Sequence, residues 1–149
     1  MKYNIQYSIS KDPFDLDMFL NLYNKNAFKR NFPTRTKNDL AKFINSNNCL
    51  FIQTIKDDIP INMSICILHN NTMYYVLGAN NKELDVFHGS YFLHYQSMLY
   101  AIRHGFIYYN LGGVYCKNED KDSPEYGLLR FKKMFAKNFM KFIGEIELE

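Results

Sequence analysis

The chain has 149 residues, a formal charge of +3 and a pI near 8.6, with 47% hydrophobic and 22% charged side chains. That length and apolar share predict one globular domain over 1–149, with enough chain to bury a core and too little for a second domain. The basic excess suits an anionic partner but falls short of that of a dedicated nucleic-acid binder.

Cys49, Cys66 and Cys116 are widely separated, which gives no zinc or redox spacing, and their odd count argues against a disulfide framework. A reducing cytoplasm is the expected compartment. The start, Met1-Lys2-Tyr3-Asn4-Ile5, carries no apolar run of signal-peptide length, and no stretch of about 18 apolar residues predicts a membrane span. Any membrane contact is therefore expected to be peripheral.

In chain order, Tyr3, Ile5, Tyr7 and Ile9 alternate with polar residues, the period of a half-buried strand. Asp12-Pro13 offers a helix cap with proline at the first helical position. Phe14, Met18, Leu22 and Phe28 then recur at helical spacing until Asn31-Phe32-Pro33 breaks the run. Thr36 or Asn38 begins a second helix through Leu40, Phe43 and Ile44. After the turn cluster Asn45 to Asn48, the runs Cys49 to Lys56, Ile59 to His69 and Thr72 to Gly78 read as strands. Asp57-Asp58 and Asn70-Asn71 are the hairpin turns, so the three strands form an antiparallel meander.

Ser90 is expected to cap a helix carrying Tyr91, Tyr95, Met98 and Ile102, which ends at His104-Gly105. Phe106 to Leu111 returns as a strand, so strand, helix and strand make a parallel crossover. Ser123-Pro124 starts a last helix reaching about Phe135, and Phe139 to Leu148 finishes as a strand. This order matches the mixed α/β acyltransferase fold of the GNAT superfamily, in which the fourth and fifth strands run parallel and splay apart. The cleft between them takes the acyl donor.

Acetyl-CoA enzymes of that superfamily carry a Gln/Arg-x-x-Gly-x-Gly/Ala loop after the fourth strand, because amides at a helix start face the pyrophosphate. Here Ala79 to Ser90 is longer and lacks those glycines. The motifs instead are Tyr74-Tyr75-Val76-Leu77-Gly78-Ala79-Asn80, Tyr91-Phe92-Leu93 with Gln96 and Ala101, Leu111-Gly112-Gly113, Tyr126 through Phe135, and Phe142-Ile143-Gly144-Glu145. Together they resemble the second acyltransferase-like domain of the Fem family, the aminoacyl-tRNA-dependent peptidyltransferases that build peptidoglycan cross-bridges. Ala27 to Phe32 with Arg35 resembles the end of that domain's first helix.

The resemblance implies a Phe-Lys pair beside the aminoacyl end of the donor, here Phe131-Lys132. Lys132 would neutralise donor phosphate or the oxyanion of a tetrahedral intermediate, and Phe131 would stack on adenosine or peptide. The plain alternative is a core phenylalanine beside a solvated lysine. Gly112 and Gly113 either bring backbone amides to the reacting carbonyl or merely end a strand. Tyr126 is a candidate hydroxyl donor, and Arg130, Lys133 and Lys137 with Arg30 and Arg35 form a candidate phosphate stripe. Asp120 and Asp122 are the carboxylates nearest the cleft, Cys116 has no activating base, and His88 and His94 lack ligand spacing, so no metal is expected.

The expected activity is transfer of an aminoacyl group from aminoacyl-tRNA to an amine of a cell-wall precursor, with no bound cofactor. The alternative enzyme transfers an acyl group from acyl-CoA to a sugar amine or small amine, and the non-catalytic alternative is one half of a split two-domain protein. Family members pair two such domains, so a homodimer or a partner GNAT-like domain is expected to complete the cleft.

Overall fold

The computed structural model describes residues 4–84, 88–114, 121 and 126–136. The chain forms two compact units, residues 1–112 and 113–149. In the first unit the elements are β1 (Gln6–Ser10), α1 (Leu16–Lys29), α2 (Lys37–Asn45), β2 (Cys49–Lys56), β3 (Ile59–His69), β4 (Thr72–Asn80), α3 (Gly89–Arg103) and β5 (Tyr108–Asn110). The described part of the second unit contains α4 (Tyr126–Lys133). Tyr3, Cys116, Asp120, Asp122, Ser123-Pro124, Lys137 and the Phe139 to Leu148 strand lie outside the described residues.

The sheet runs in chain order, β1-β2-β3-β4-β5, antiparallel except for the β4–β5 pair. Its meander follows from the turn residues. Asp57 and Asp58 both adopt positive φ, 49° and 62°, as does Asn70 at 50°, and short polar side chains tolerate that region best.

The helix starts depart from the sequence reading in two places. Asp15, not Asp12, caps α1, its Oδ1 accepting from the Met18 amide at 2.9 Å. Thr36 caps α2 through a reciprocal box with Asp39. Before α3 stands His88 in the left-handed region with no side-chain cap bond, whereas Ser90 lies inside the helix and its Oγ accepts from Asn62 Nδ2 at 2.8 Å. A buried sheet residue thus takes the hydroxyl that a cap would have used.

Two apolar layers flank the sheet. On one face α1 and α2 cover Phe51, Met63, Ile65, Leu77 and Ala79, with Phe19 and Leu40 buried between. On the other, α3 contributes Leu93 and Ala101 against Leu50, Ile52, Cys66, Leu68 and Met73. One residue of β4 decides which layer its neighbours join. Ile65 pairs with Leu77 but Cys66 pairs with Tyr75, so Val76 is a bulge. Upstream of it Met73 and Tyr75 face α3, and downstream of it Leu77 and Ala79 face α1.

Candidate functional site

β4 and β5 pair over three residues only, Thr72 with Tyr108, Met73 with Tyr109 and Tyr74 with Asn110. β4 continues to Asn80 while β5 stops at Asn110, so the two parallel strands part at Tyr75. This is the carboxyl end of the crossover, where open α/β sheets hold ligands. Asn110 Oδ1 accepts from the Gly112 amide at 2.8 Å, and Gly112 takes φ 75°, so the glycine turns the chain out of β5 where a side chain would be strained.

The α3 side of the parting point is lined by an aromatic trio, His94, Tyr75 and Tyr109. His94, buried on α3, meets Tyr109 Oη through Nδ1 at 2.8 Å and lies 4.8 Å from the Tyr75 ring. Burial raises both phenols well above the ordinary tyrosine value, so each stays a neutral hydroxyl at any physiological pH. Tyr75 Oη also occupies the space a Cβ would need at Gly78. Gly78, two residues before the end of β4, was the sequence signal for this close approach.

A second polar set joins the sheet to the start of α3. Thr54 Oγ1 donates to Asn62 Oδ1 at 3.1 Å, and Asn62 Nδ2 donates to Asn80 Oδ1 at 3.0 Å and to Ser90. Thr54 and Asn62 are buried, so these bonds satisfy groups that would otherwise be orphaned. A Cβ at Gly89 would fall 2.0 Å from Asn62 Oδ1. The first turn of α3 is therefore packed on a carboxamide, and its described residues do not form the open glycine cradle that a CoA pyrophosphate requires.

In the second unit, α4 brings two of the expected residues together. Lys132 Nζ donates to the carbonyl of Gly113 at 2.7 Å, although 19 residues separate them. Lys132 is only 7% exposed, on the same helix face as buried Leu129. Burial disfavours its ammonium form and lowers its pKa from the ordinary 10.5. Phe131 is half-buried and meets Phe135 edge-on at 5.3 Å. Tyr126 is half-buried at the start of α4, while Arg130 and Lys133 are exposed.

Of the expected basic residues of the first unit, Arg30 lies within electrostatic range of Tyr75 at the β4–β5 parting. Arg30 is exposed at the C-cap of α1. Arg35 has its backbone N–H and C=O tied to the Asn24 carboxamide at 2.9 and 2.8 Å, and its guanidinium lies over the Phe43 ring at 5.9 Å. Cys49 and Cys66 are buried free thiols, and burial pushes Cys66 up to about 12, which makes it a poor nucleophile. Among the described residues no three His, Cys, Asp or Glu side chains converge as a metal site.

These features agree with what the chain is similar to. The model of the FemAB family matches residues 20–149, a span that crosses both units. The chain belongs to the FemAB family. The lipid II:glycine glycyltransferase of Staphylococcus saprophyticus is 32% identical over 94 residues, which cover 63% of this chain and 22% of that protein. Its Staphylococcus aureus counterpart is 32% identical over 91 residues, 61% of this chain and 21% of that one. The match thus spans about a fifth of the length of these relatives.

Among solved structures, FemX superposes with a TM-score of 0.73 at 17% identity, covering 85% of this FemAB-family chain and 49% of its own. An aminoglycoside acetyltransferase from an uncultured soil metagenomic sample gives a TM-score of 0.69 at 12% identity, covering 97% and 96%. The fold is accordingly GNAT-like, and the β4–β5 parting occupies the place expected for it.

Proposed function

We propose that this chain is the acyl-transfer domain of a Fem-type enzyme and moves an aminoacyl group from aminoacyl-tRNA to an amine of a cell-wall precursor. The reading takes both units, residues 1–149, as one such domain, supported by a family match that crosses the boundary between them. The names of the glycyltransferase relatives support the class of reaction and acceptor.

The observation that carries the reading is the Lys132 ammonium lodged on the Gly113 carbonyl, because it fixes a desolvated cation beside a glycine pair. In the reaction the acceptor amine attacks the ester carbonyl of the donor, a C–N bond forms, and a tetrahedral oxyanion develops. Collapse breaks the C–O bond, and the tRNA ribose oxygen leaves with the proton the amine gives up. A cation held in advance stabilises that oxyanion without reorganisation, and direct attack needs no covalent enzyme intermediate. Phe131 supplies a flat apolar surface for donor or peptide, Tyr126 a hydroxyl, and Arg130 and Lys133 with Arg30 and Arg35 the charge for tRNA phosphates. Transfer of a labelled amino acid from charged tRNA to a lipid-linked muropeptide tests the reading directly, and label remaining on tRNA would reject it.

The donor is also open to a binding test. Acetyl-CoA at millimolar concentration is expected to leave the thermal midpoint unchanged, since the first turn of α3 is packed on Asn62. A rise of several degrees would favour an acyl-CoA enzyme instead.

Self-association belongs to the same proposal. Phe28 is 79% exposed beside Phe32 at the end of α1, and Ile102, Ile107 and Tyr108 are exposed around α3 and β5. Surfaces of this kind are covered in use, here by a second copy or a partner GNAT-like domain. Light scattering at micromolar concentration is expected to give twice the chain mass. A fully active monomer would overturn it. The same proposal puts the reaction in the cytoplasm, peripheral to the membrane. No described helix is long and apolar enough to cross a membrane.

A further inference from the structure

Helix α3 carries its polarity reversed. The residues it buries include His94, Gln96 and Ser97, whereas Tyr91, Tyr95, Met98 and Ile102 recur at spacings of four, three and four along the opposite side. At 3.6 residues per turn these four fall within about 60° of the helix circumference and run for about 16 Å along it. Ile102 is 72% exposed and Tyr95 52%, while Tyr91 and Met98 are half-buried. Phe92 and Leu99, also half-buried, widen the stripe on one flank, where Phe92 meets exposed Tyr7 of β1 edge-on at 5.8 Å.

The buried side uses its polar groups within the protein. His94 meets Tyr109, and Ser97 Oγ donates to the Leu93 carbonyl at 2.8 Å. The apolar side has no such use in the fold. A continuous stripe of exposed rings and aliphatic side chains marks a surface that something covers.

The charge around the stripe selects what that is. All 15 carboxylates of the chain lie outside residues 86–118, a stretch that contains the whole of α3. Arg103 stands exposed in the last turn of the helix, with exposed His104 next to it. An anionic bilayer surface repels carboxylates, attracts arginine and holds tyrosine rings at headgroup level. A folded partner imposes no such rule of sign. Arg103 can lay its apolar stem along the stripe and keep its guanidinium among lipid phosphates.

We infer that α3 docks the protein on an anionic lipid surface, with Tyr91, Tyr95, Met98 and Ile102 entering the boundary between headgroups and acyl chains and Arg103 pairing with lipid phosphate. α1 lies on the other face of the sheet, so Phe28 and Phe32 stay open to a second copy while α3 rests on lipid. This surface serves the peripheral placement proposed above and rests on that reading, but vesicle binding is measured without any transfer, so either can fail alone.

Because the chain has no tryptophan, Tyr95→Trp introduces a single fluorophore into the stripe. Vesicles of equal parts phosphatidylglycerol and phosphatidylcholine are expected to shift its emission to the blue, and acyl-brominated phosphatidylglycerol to quench it. Ile59→Trp, at the exposed start of β3, is expected to show neither. In vesicle co-sedimentation, Tyr95→Ser with Ile102→Ser is expected to weaken the partition of the whole chain by about tenfold or more at an unchanged thermal midpoint. Arg103→Gln is expected to reduce the preference for phosphatidylglycerol over phosphatidylcholine. A second copy is the rival occupant of the Ile102 end, and the same fluorophore separates the two. Emission that follows protein concentration and ignores lipid, absence of co-sedimentation, co-sedimentation unmoved by the serine pair, or equal quenching of Ile59→Trp would overturn the assignment.

Discussion

Lys132→Ala is expected to lower turnover at least tenfold, about 1.4 kcal/mol of barrier, while the thermal midpoint scarcely moves. The two effects separate because of where the bond ends. Truncation removes the cation, but the Gly113 carbonyl it leaves belongs to an exposed residue and regains water. Equal loss of activity and folding would make the lysine structural.

The pH dependence supplies a second signature of the same side chain. Desolvation lowers the folded pKa of Lys132 below 10.5, so the active ammonium is lost as pH rises through that lowered value. Turnover should therefore fall on the alkaline side below pH 10.5. Its effect on stability has the opposite sign, since between the folded and unfolded pKa values the unfolded chain binds the extra proton and stability rises with pH. In Lys132→Arg the guanidinium stays charged, and that alkaline limb should vanish from whatever activity remains.

Phe19→Ala is expected to cost about 3–5 kcal/mol, the largest stability change of any substitution considered. Phe19 is fully buried, with Phe14 at 5.4 Å and Tyr23 at 5.9 Å, and it sits among the side chains that seal α1 and α2 against the sheet. Removing the ring leaves a cavity that two helices and a sheet cannot close together. Against a typical total of about 5–15 kcal/mol, this lowers the melting midpoint by roughly 10 °C or more. A midpoint shift under a few degrees would mean the site collapses around the smaller side chain.

Sequence reading located the meander well because its turns are local. Asp57, Asp58 and Asn70 need no distant partner to favour positive φ, and β2 and β3 begin and end as expected, while β4 runs on past Gly78 to Asn80. It named Lys132 as a site candidate only through family resemblance and Gly113 from the glycine pair that ends a strand, and could not foresee their bond, since a 19-residue hydrogen bond leaves no periodic trace. It placed the caps of α1 and α3 wrongly for a related reason. Asp12 and Ser90 are good cap residues by chemistry, but Asp15 lies nearer the first turn, and Ser90 is claimed by Asn62 from across the sheet. The trio His94, Tyr75 and Tyr109 was missed because three separate elements contribute one residue each.

The single inserted residue at Val76 also divides the energetics of one strand between two cores. Because Met73 and Tyr75 pack in the α3 layer, and Leu77 and Ala79 in the layer under α1 and α2, Met73 can be repacked without disturbing the fit of Leu77. Substitutions at Met73 and Leu77 should then behave as independent perturbations although only four positions separate them, a degree of autonomy that an unbroken strand denies its neighbours. The chain can thus retune the face beneath its strand parting while the opposite core keeps the fold intact.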